Sequence, residues 1–272
     1  MTNEILRILF LGDVVGEPGR RAVIEQLPSL KDELGLDFVI VNGENAAGGR
    51  GITPRIAIDF LRAGAAVITT GDHVWDQQEI VEYFATEPRL LRPINYPVET
   101  PGRGSVVLET AKGKVAVLQA QGRTFMQPPL ENPFLCLEGE IDRLRREEGV
   151  MMVFVDFHAE TTSEKIAMGY ALEGKASVVV GTHTHVQTAD ERILPGGTGC
   201  LTDAGMCGPD DSVLGRASDS VVWRFKTGMP TRFPVAKGVV RLCGVIADLD
   251  PLSGRCLQIE RLNRRIEPVI PG

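Results

Sequence analysis

The chain has 272 residues, of which 43% are hydrophobic and 24% charged, and this composition predicts a soluble globular protein with one domain spanning residues 1–272. No apolar run approaches the roughly 20 residues that span a bilayer, and the first residues lack the pattern of a signal peptide. A formal charge of −7 argues against non-specific binding to DNA or RNA, which requires a basic surface.

Five cysteines are present, and no two of them form a C-x-x-C pair. An odd number without such pairs favours free thiols in a reducing compartment over a disulfide framework. We therefore expect a cytoplasmic protein without a thiolate zinc site. A small anionic substrate is compatible with the negative charge if a metal supplies local positive charge.

In the first part of the chain, short apolar runs alternate with helical patterns. Strands are predicted at residues 7–11, 38–41 and 66–70, and helices at residues 18–34, 54–63 and 76–84. This alternation predicts a parallel sheet, in which ligands gather beyond the carboxyl ends of the strands.

The second part continues with a hairpin and two more strand and helix pairs. We predict a hairpin of residues 105–109 and 115–119, helices at 138–148 and 163–172, strands at 152–155, 177–180 and 200–202, and a final hairpin of 238–248 against 255–264. Residues 121–133 contain three prolines and no periodicity, which predicts a lid over a site or a surface loop without a role there.

The four histidines of the chain, His73, His158, His183 and His185, all follow predicted strands. His183 and His185 form an H-x-H pair, which in an extended backbone would point to one side. A single histidine is most simply a hydrogen-bonded core residue, but four in equivalent positions favour metal binding. The other strands end at oxygen-bearing residues: Asp13, Glu44, Asn45 and Asp72.

This mixed set of oxygen and nitrogen donors exceeds the needs of one tetrahedral ion. Two metal ions that share a bridging carboxylate would use it fully, and such pairs activate water for attack on phosphorus. Without cysteine ligands, the set favours manganese, iron or zinc over copper.

The order of these motifs resembles the calcineurin-like metallophosphoesterase superfamily. Within it, residues 11–16, 41–45, 73–76 and 202–206 resemble the characteristic stretches of the YmdB-like bacterial phosphodiesterases. The resemblance implies a four-layer αββα sandwich with its metal site at the carboxyl ends of the strands. It also implies hydrolysis of small phosphodiesters, including 2′,3′-cyclic nucleotides, by a metal-bridging hydroxide.

Carried over by position, the resemblance implies one ion held by Asp13, Glu44, Asn45 and His185, and a second held by Glu44, Asp72, His158 and His183. Glu44 would bridge the two ions, and Val15 replaces a histidine that the wider superfamily has in its first motif. His73 would contact the phosphate or protonate the leaving oxygen. The family has asparagine where this chain has Asp72, so we expect a less positive site that tolerates or prefers a ferric ion.

Two other readings remain open. Metal-dependent amidohydrolases also use H-x-H, although usually on the first strand of a barrel. A non-catalytic regulatory or nucleotide-binding protein is the other alternative, although it would not need His73. If the loop at residues 121–133 is a lid, Arg123 would bind phosphate and Phe125 would stack on a base. We expect a small phosphodiester as the partner, no membrane, and a homo-oligomer as one option.

Overall fold

The computed structural model describes residues 5–267, which form thirteen strands and six helices. The first elements are β1 (Leu6–Leu11), β2 (Asp13–Val14), α1 (Gly16–Leu34), β3 (Phe38–Asn42), α2 (Pro54–Ala63), β4 (Val67–Thr69), α3 (Ile80–Thr86), β5 (Ser105–Thr110) and β6 (Gly113–Gln121). The remaining elements are α4 (Pro133–Glu148), β7 (Met152–His158), α5 (Thr162–Ala171), β8 (Val178–Thr182), β9 (Arg192–Ile193), β10 (Gly199–Leu201), β11 (Met206–Pro209), α6 (Ser218–Thr227), β12 (Val240–Leu249) and β13 (Cys256–Ile266).

The strands form two mixed sheets. The first has the order β2-β11-β12-β1-β3-β4, with β13 paired to β12, and the second has the order β5-β6-β7-β8-β10-β9. β1 pairs in parallel with β3, so that Leu9 lies opposite Val39. β7 pairs in parallel with β8, which sets His158 opposite Thr182. The parallel strands of each sheet therefore end at a common edge.

Three apolar cores separate four layers. α1 and α2 cover the outer face of the first sheet, and α4 and α5 cover the outer face of the second. Between the sheets lies a core in which the rings of Phe10 and Phe154 are 5.1 Å apart. This arrangement is the αββα sandwich that the resemblance implied, and burial of both sheet faces explains why most strands read as continuous apolar runs.

Capping residues fix where α2 and α4 begin. The Thr53 hydroxyl accepts a hydrogen bond from the Ile56 backbone N–H, and the Asn132 side chain accepts one from Phe134. Both caps satisfy backbone donors that have no partner within the helix. α4 therefore begins at Pro133, ahead of the predicted start at Glu138.

The other differences from the predicted elements are local. The chain forms turns from Asp72 onward, and α3 begins only at Ile80 instead of Asp76. α6 was not predicted, because nine of its ten residues are not buried and it lacks a clear apolar face. Both long hairpins are confirmed. Within residues 5–267, the helices are all too short or too polar to cross a membrane.

Candidate metal centre

The predicted ligands converge where the strands of the two sheets end. The oxygen donors come from the first sheet, with Asp13 on β2, Glu44 and Asn45 after β3, and Asp72 after β4. The nitrogen donors come from the second sheet, with His158 at the end of β7 and His183 and His185 after β8. We call these seven residues the ligand cluster.

Donor atoms of the ligand cluster form two overlapping groups. One group contains Glu44, Asp72, His158 and His183, and the other contains Asp13, Glu44 and His185, and within each group the donor atoms lie within 4.8 Å of one another. Asn45 joins the second group through its Oδ1 atom, which lies 3.0 Å from Nε2 of His185. Glu44 belongs to both groups, as expected for a carboxylate between two ions.

His158 is oriented by a chain of hydrogen bonds behind the cluster. Thr182 donates its hydroxyl proton to Asp156 over 2.7 Å, so its oxygen accepts from Nδ1 of His158 over 2.9 Å. Nε2 then faces Asp72 Oδ1 at 2.9 Å and Glu44 Oε2 at 3.1 Å. An imidazole whose outer nitrogen is committed in this way presents a lone pair inward, as metal-binding histidines do.

The other two histidines also have one ring nitrogen bound outside the cluster, although by different partners. Nε2 of His183 lies 3.1 Å from a carboxylate oxygen of Glu160, while its Nδ1 lies 3.1 Å from Nε2 of His158. Nδ1 of His185 lies 3.1 Å from the carbonyl oxygen of Leu214, which leaves its Nε2 for the cluster. The lone pairs of the three imidazoles therefore converge on oxygen donors of Asp72, Glu44 and Asn45, an arrangement that a cation would satisfy.

The electrostatics of the ligand cluster also favour a cation. Burial lowers the pKa of His158, but the carboxylates of Glu44 and Asp72 outweigh it and raise that pKa well above its usual value. Burial raises the pKa of Asp72, but hydrogen bonds with His158 and His183 lower that pKa overall. Within residues 5–267, the buried Oδ1 atom of Asp13 finds no hydrogen-bond partner. A buried carboxylate oxygen without a donor is costly, and a cation at this point would remove the cost.

The backbone of the H-x-H pair differs from the extended conformation that we expected. β8 ends at Thr182, and both His183 (φ 99°) and His185 (φ 66°) lie in the left-handed region. This conformation is rare in residues other than glycine and costs on the order of 1–3 kcal/mol at each residue. The two side chains thus converge through a strained turn instead of strand alternation.

A buried ion pair holds this turn in place. Thr184, between the two histidines, donates its hydroxyl to Asp203 over 2.7 Å and its backbone N–H over 3.2 Å. Asp203 also accepts from Lys165 over 2.6 Å, and both side chains of the pair are 1% exposed. The sequence did not reveal this pair, because its members are 38 residues apart.

A cavity of about 340 Å³ lies directly over the ligand cluster. It is lined by Glu44, Asn45, Gly49, His73, Glu160, His183, Thr184, His185, Leu214 and Arg216. His73 is in neither donor group, and its Nδ1 lies 3.2 Å from Asp76 Oδ2. Its place in the wall of the cavity fits a residue that contacts a substrate without binding metal.

Sequence reasoning missed several residues around the cavity. Arg216 donates to the backbone oxygen of Gly49 over 2.6 Å, and it brings a guanidinium into the wall. No motif marks Arg216 or Glu160. Asp156 could have been recognised, because it interrupts an apolar strand and shares a side of the strand with His158. Burial raises the pKa of Asp156 to about 6.

Arg123 and Phe125 lie in the loop after β6. The backbone N–H of Arg123 donates to Glu164 over 3.0 Å, and the Phe125 side chain is 86% exposed. As far as residues 5–267 show, neither lines the cavity over the ligand cluster. The loop still begins beside the site, because the backbone N–H of Gly122 donates to the carbonyl oxygen of His158. A role in substrate binding stays a prediction.

The sequence of this chain is similar to those of known proteins. The family model described as "YmdB-like protein" matches residues 9–262. The chain is 48% identical over 257 residues to a protein of Bacillus subtilis (strain 168) named 2′,3′-cyclic-nucleotide 2′-phosphodiesterase, with 94% of this chain and 96% of that protein covered.

Solved structures agree with this match. The crystal structure of a novel phosphatase from Mycoplasma pneumoniae has a TM-score of 0.91 at 34% identity, over 98% of this chain and 95% of that one. A 5′-nucleotidase precursor from Thermus thermophilus has a TM-score of 0.60 at 12% identity, over 97% of this chain and 55% of that one. The second likeness concerns the fold alone, and the predicted fold class is confirmed.

Proposed function

The chain belongs to the YmdB-like protein family, and from this premise we propose that it is a metal-dependent phosphodiesterase that hydrolyses 2′,3′-cyclic nucleotides. The observation that carries this proposal is the pair of donor groups that share Glu44 beneath an open cavity. Two cations side by side suit a phosphodiester, because its negative charge grows on the oxygens around phosphorus as the reaction proceeds.

In this proposal, one ion is held by Asp13, Glu44, Asn45 and His185, and the other by Glu44, Asp72, His158 and His183. Bound metal ions would supply Lewis acidity to the phosphate and to the attacking water. Manganese or iron suits the mixture of carboxylate and imidazole ligands, and zinc is the third candidate. The carboxylate of Asp72 favours tolerance of one ferric ion, because it adds a negative charge where the family has a neutral amide.

His73 serves as the proton donor to the leaving oxygen. Its Nδ1 lies 3.2 Å from the Asp76 carboxylate, so a proton on Nδ1 is held there and Nε2 is left to exchange a proton with substrate. A positioned general acid contributes typically about 10²–10⁴-fold to the rate.

Arg216 supports the phosphate from the wall of the cavity. Its guanidinium is a fixed cation that suits phosphate oxygens, and hydrogen bonds to the carbonyl oxygens of Gly49 and Phe233 hold it in place. Arg123 and Phe125 extend the binding surface only if their loop closes over the cavity, with Phe125 stacking on the base.

The test is a substrate screen with the purified protein and added manganese. Bis-p-nitrophenyl phosphate, the four 2′,3′-cyclic nucleotides, a 3′,5′-cyclic nucleotide and a phosphomonoester would be compared by the ratio of kcat to KM. We expect the 2′,3′-cyclic nucleotides to be the best substrates. Metal binding without turnover of any of these compounds would instead favour a non-catalytic regulatory or nucleotide-binding protein.

We further propose a cytoplasmic location and a homo-oligomer. All five cysteines are free thiols, which suits a reducing compartment. Burial raises the pKa of the thiols of Cys200 and Cys256 to about 12, so neither is poised for oxidation. The exposed side chains of Trp223 and Phe225 on α6 favour a homo-oligomer.

A further inference from the structure

A glycine-rich loop lies at the edge of the cavity, between β3 and α2. We call residues 46–51 the glycine loop. The backbone N–H of Ala47 donates to the carbonyl oxygen of Gly51 over 2.9 Å, which closes the loop. The side chain of Gln77 donates to the carbonyl oxygen of Arg50 over 2.8 Å, which ties the loop to the chain after β4. The shape of the glycine loop is therefore fixed by its own hydrogen bonds.

The glycine loop holds the guanidinium of Arg216. Nη2 of Arg216 donates to the carbonyl oxygen of Gly49 over 2.6 Å, and Nη1 donates to that of Gly48 over 3.4 Å. Nη1 also donates to the carbonyl oxygen of Phe233 over 3.2 Å. Three backbone oxygens thus fix the guanidinium in the wall of the cavity.

No carboxylate balances the positive charge of Arg216. Among residues 5–267, the hydrogen-bond partners of its guanidinium are backbone oxygens, and it forms no ion pair. Burial and the nearby charge of Arg50 both lower the pKa of Arg216. Arg50, by contrast, pairs with Asp76 over 2.7 Å. A partly buried cation without a counter-charge costs free energy, and an anion in the cavity would remove that cost.

Glycine at position 49 leaves the space that this guanidinium occupies. A Cβ atom built on Gly49 would lie 2.6 Å from Cζ of Arg216, well inside contact distance. A Cβ atom built on Gly48 would meet no atom of residues 5–267 within 4 Å. Both glycines have a left-handed backbone, with φ of 93° at Gly49 and 65° at Gly48, so alanine would strain the chain at either position. Contact with Arg216 is what distinguishes Gly49 from its neighbour.

We propose that the glycine loop is the seat of an anion-binding arginine, and that Gly49 is a positioning residue for the phosphate of the substrate. Gly49 acts through Arg216, because the lack of a side chain at position 49 lets the guanidinium lie against the loop. A guanidinium presents its N–H groups in a planar fork that matches phosphate oxygens. Inorganic phosphate should therefore bind there as well. The inference rests on the proposed function for the identity of the substrate, whereas phosphate binding itself requires no turnover.

Calorimetric titration of the manganese-loaded full-length protein with inorganic phosphate tests this role. We expect the dissociation constant of phosphate to rise about tenfold in Gly49→Ala and in Arg216→Gln, because each variant loses a hydrogen bond between a charged donor and the anion. Gly48→Ala is the matched control, since it strains the same loop without displacing the guanidinium. It should raise the dissociation constant far less than Gly49→Ala does.

Two further measurements separate displacement of Arg216 from general damage to the loop. The metal ligand Asn45 directly precedes the glycine loop, and its side chain donates to the carbonyl oxygen of Gly49 over 3.4 Å. A distorted loop would therefore lower the affinity for manganese, whereas displacement of the guanidinium alone should leave that affinity unchanged. When Gly49→Ala is added to Arg216→Gln, phosphate binding should not weaken further, because the group that alanine displaces is already absent.

Equal phosphate dissociation constants in the two alanine variants would overturn the proposal, as would an unmodified protein that binds no phosphate. So would a manganese affinity of Gly49→Ala that falls together with its phosphate affinity, or a further loss of phosphate binding in the double variant. Phosphate binding that depends on Gly49, in a protein that hydrolyses none of the phosphodiesters, would support the seat and refute the proposed function.

Discussion

The two nitrogen-bearing segments of the ligand cluster hold their imidazoles in different ways. His158 ends a regular buried strand, and its orientation comes from Thr182 and Asp156 on the same sheet. His183 and His185 lie on a turn with a left-handed backbone, which a buried ion pair restrains through Thr184. The strand orients its ligand without strain, whereas the turn needs tertiary contacts to keep its shape. Loss of one hydrogen bond should therefore lower metal affinity more on the turn than on the strand.

We expect the largest effect from a change that weakens both ions at once, whichever segment supplies their histidine ligands. Glu44 belongs to both donor groups, so Glu44→Gln should lower the affinity for both ions and abolish most activity. The amide is isosteric but lacks the charge that compensates two cations. Metal content by mass spectrometry, together with turnover of a 2′,3′-cyclic nucleotide, is the measurement. Two retained ions with normal turnover would remove Glu44 from the centre of the site.

His73 lies outside both donor groups, so its replacement separates a role in catalysis from a role in metal binding. His73→Ala should lower kcat by about 10²–10⁴-fold, because its proposed role is proton transfer in the transition state. Metal content should remain that of the unmodified protein. If the variant purifies without metal, His73 is a ligand and the assignment of roles is wrong.

A matched pair of threonine variants tests the comparison directly. Thr184→Val removes the hydroxyl that binds Asp203 on the turn, and Thr182→Val removes the hydroxyl that binds His158 on the strand. Loss of partners behind metal ligands typically costs about 10–100-fold in affinity. We expect the loss of metal affinity to lie near the upper end of this range in Thr184→Val and near the lower end in Thr182→Val.

Calorimetric titration with manganese would measure both affinities. Thr184→Ser should restore most of the loss, because serine keeps the hydroxyl. Equal losses in the two valine variants would show that the strained turn is no more dependent on its restraints than the strand.

The smallest expected effect concerns charge alone. Asp72→Asn makes the site more positive by one unit, so with two manganese ions it should bind phosphate about fivefold more tightly. One unit charge about 4 Å away in water contributes about 1 kcal/mol, which corresponds to this factor. The measurement is the phosphate inhibition constant of the unmodified protein and of Asp72→Asn, each loaded with manganese. Equal or weaker inhibition of the asparagine form would mean that another group, such as Arg216, already offsets the charge.

Sequence reasoning reached the donor residues because parallel strands bring their carboxyl ends together. Asp13, Glu44, Asp72 and His158 are far apart in the chain, yet each directly follows or ends an apolar run. The αββα layers followed from the resemblance. The hydrophobic pattern of the sequence predicts alternating strands and helices, but it does not reveal that the strands form two sheets that pack face to face.

The remaining features depend on contacts that leave no local signal. The turn with left-handed His183 and His185 is held through Thr184 by Asp203, which pairs with Lys165, and these contacts leave no signal near the histidines in the sequence. Arg216 reaches the cavity from a segment without periodicity. α6 escaped prediction because its exposed apolar residues do not fit the burial pattern on which such predictions rest.

The origin of the donors has a consequence for folding. Oxygen ligands belong to the first sheet and nitrogen ligands to the second, so the complete ligand cluster exists only after the two sheets have packed against each other. Metal would therefore bind the native state in preference to the unfolded chain or either sheet alone. By linkage, free metal at about a hundredfold excess over its dissociation constant would add about 2.7 kcal/mol per site to the free energy of unfolding. A chelator should accordingly lower the melting temperature as well as the activity, because the ions join the two halves of the sandwich.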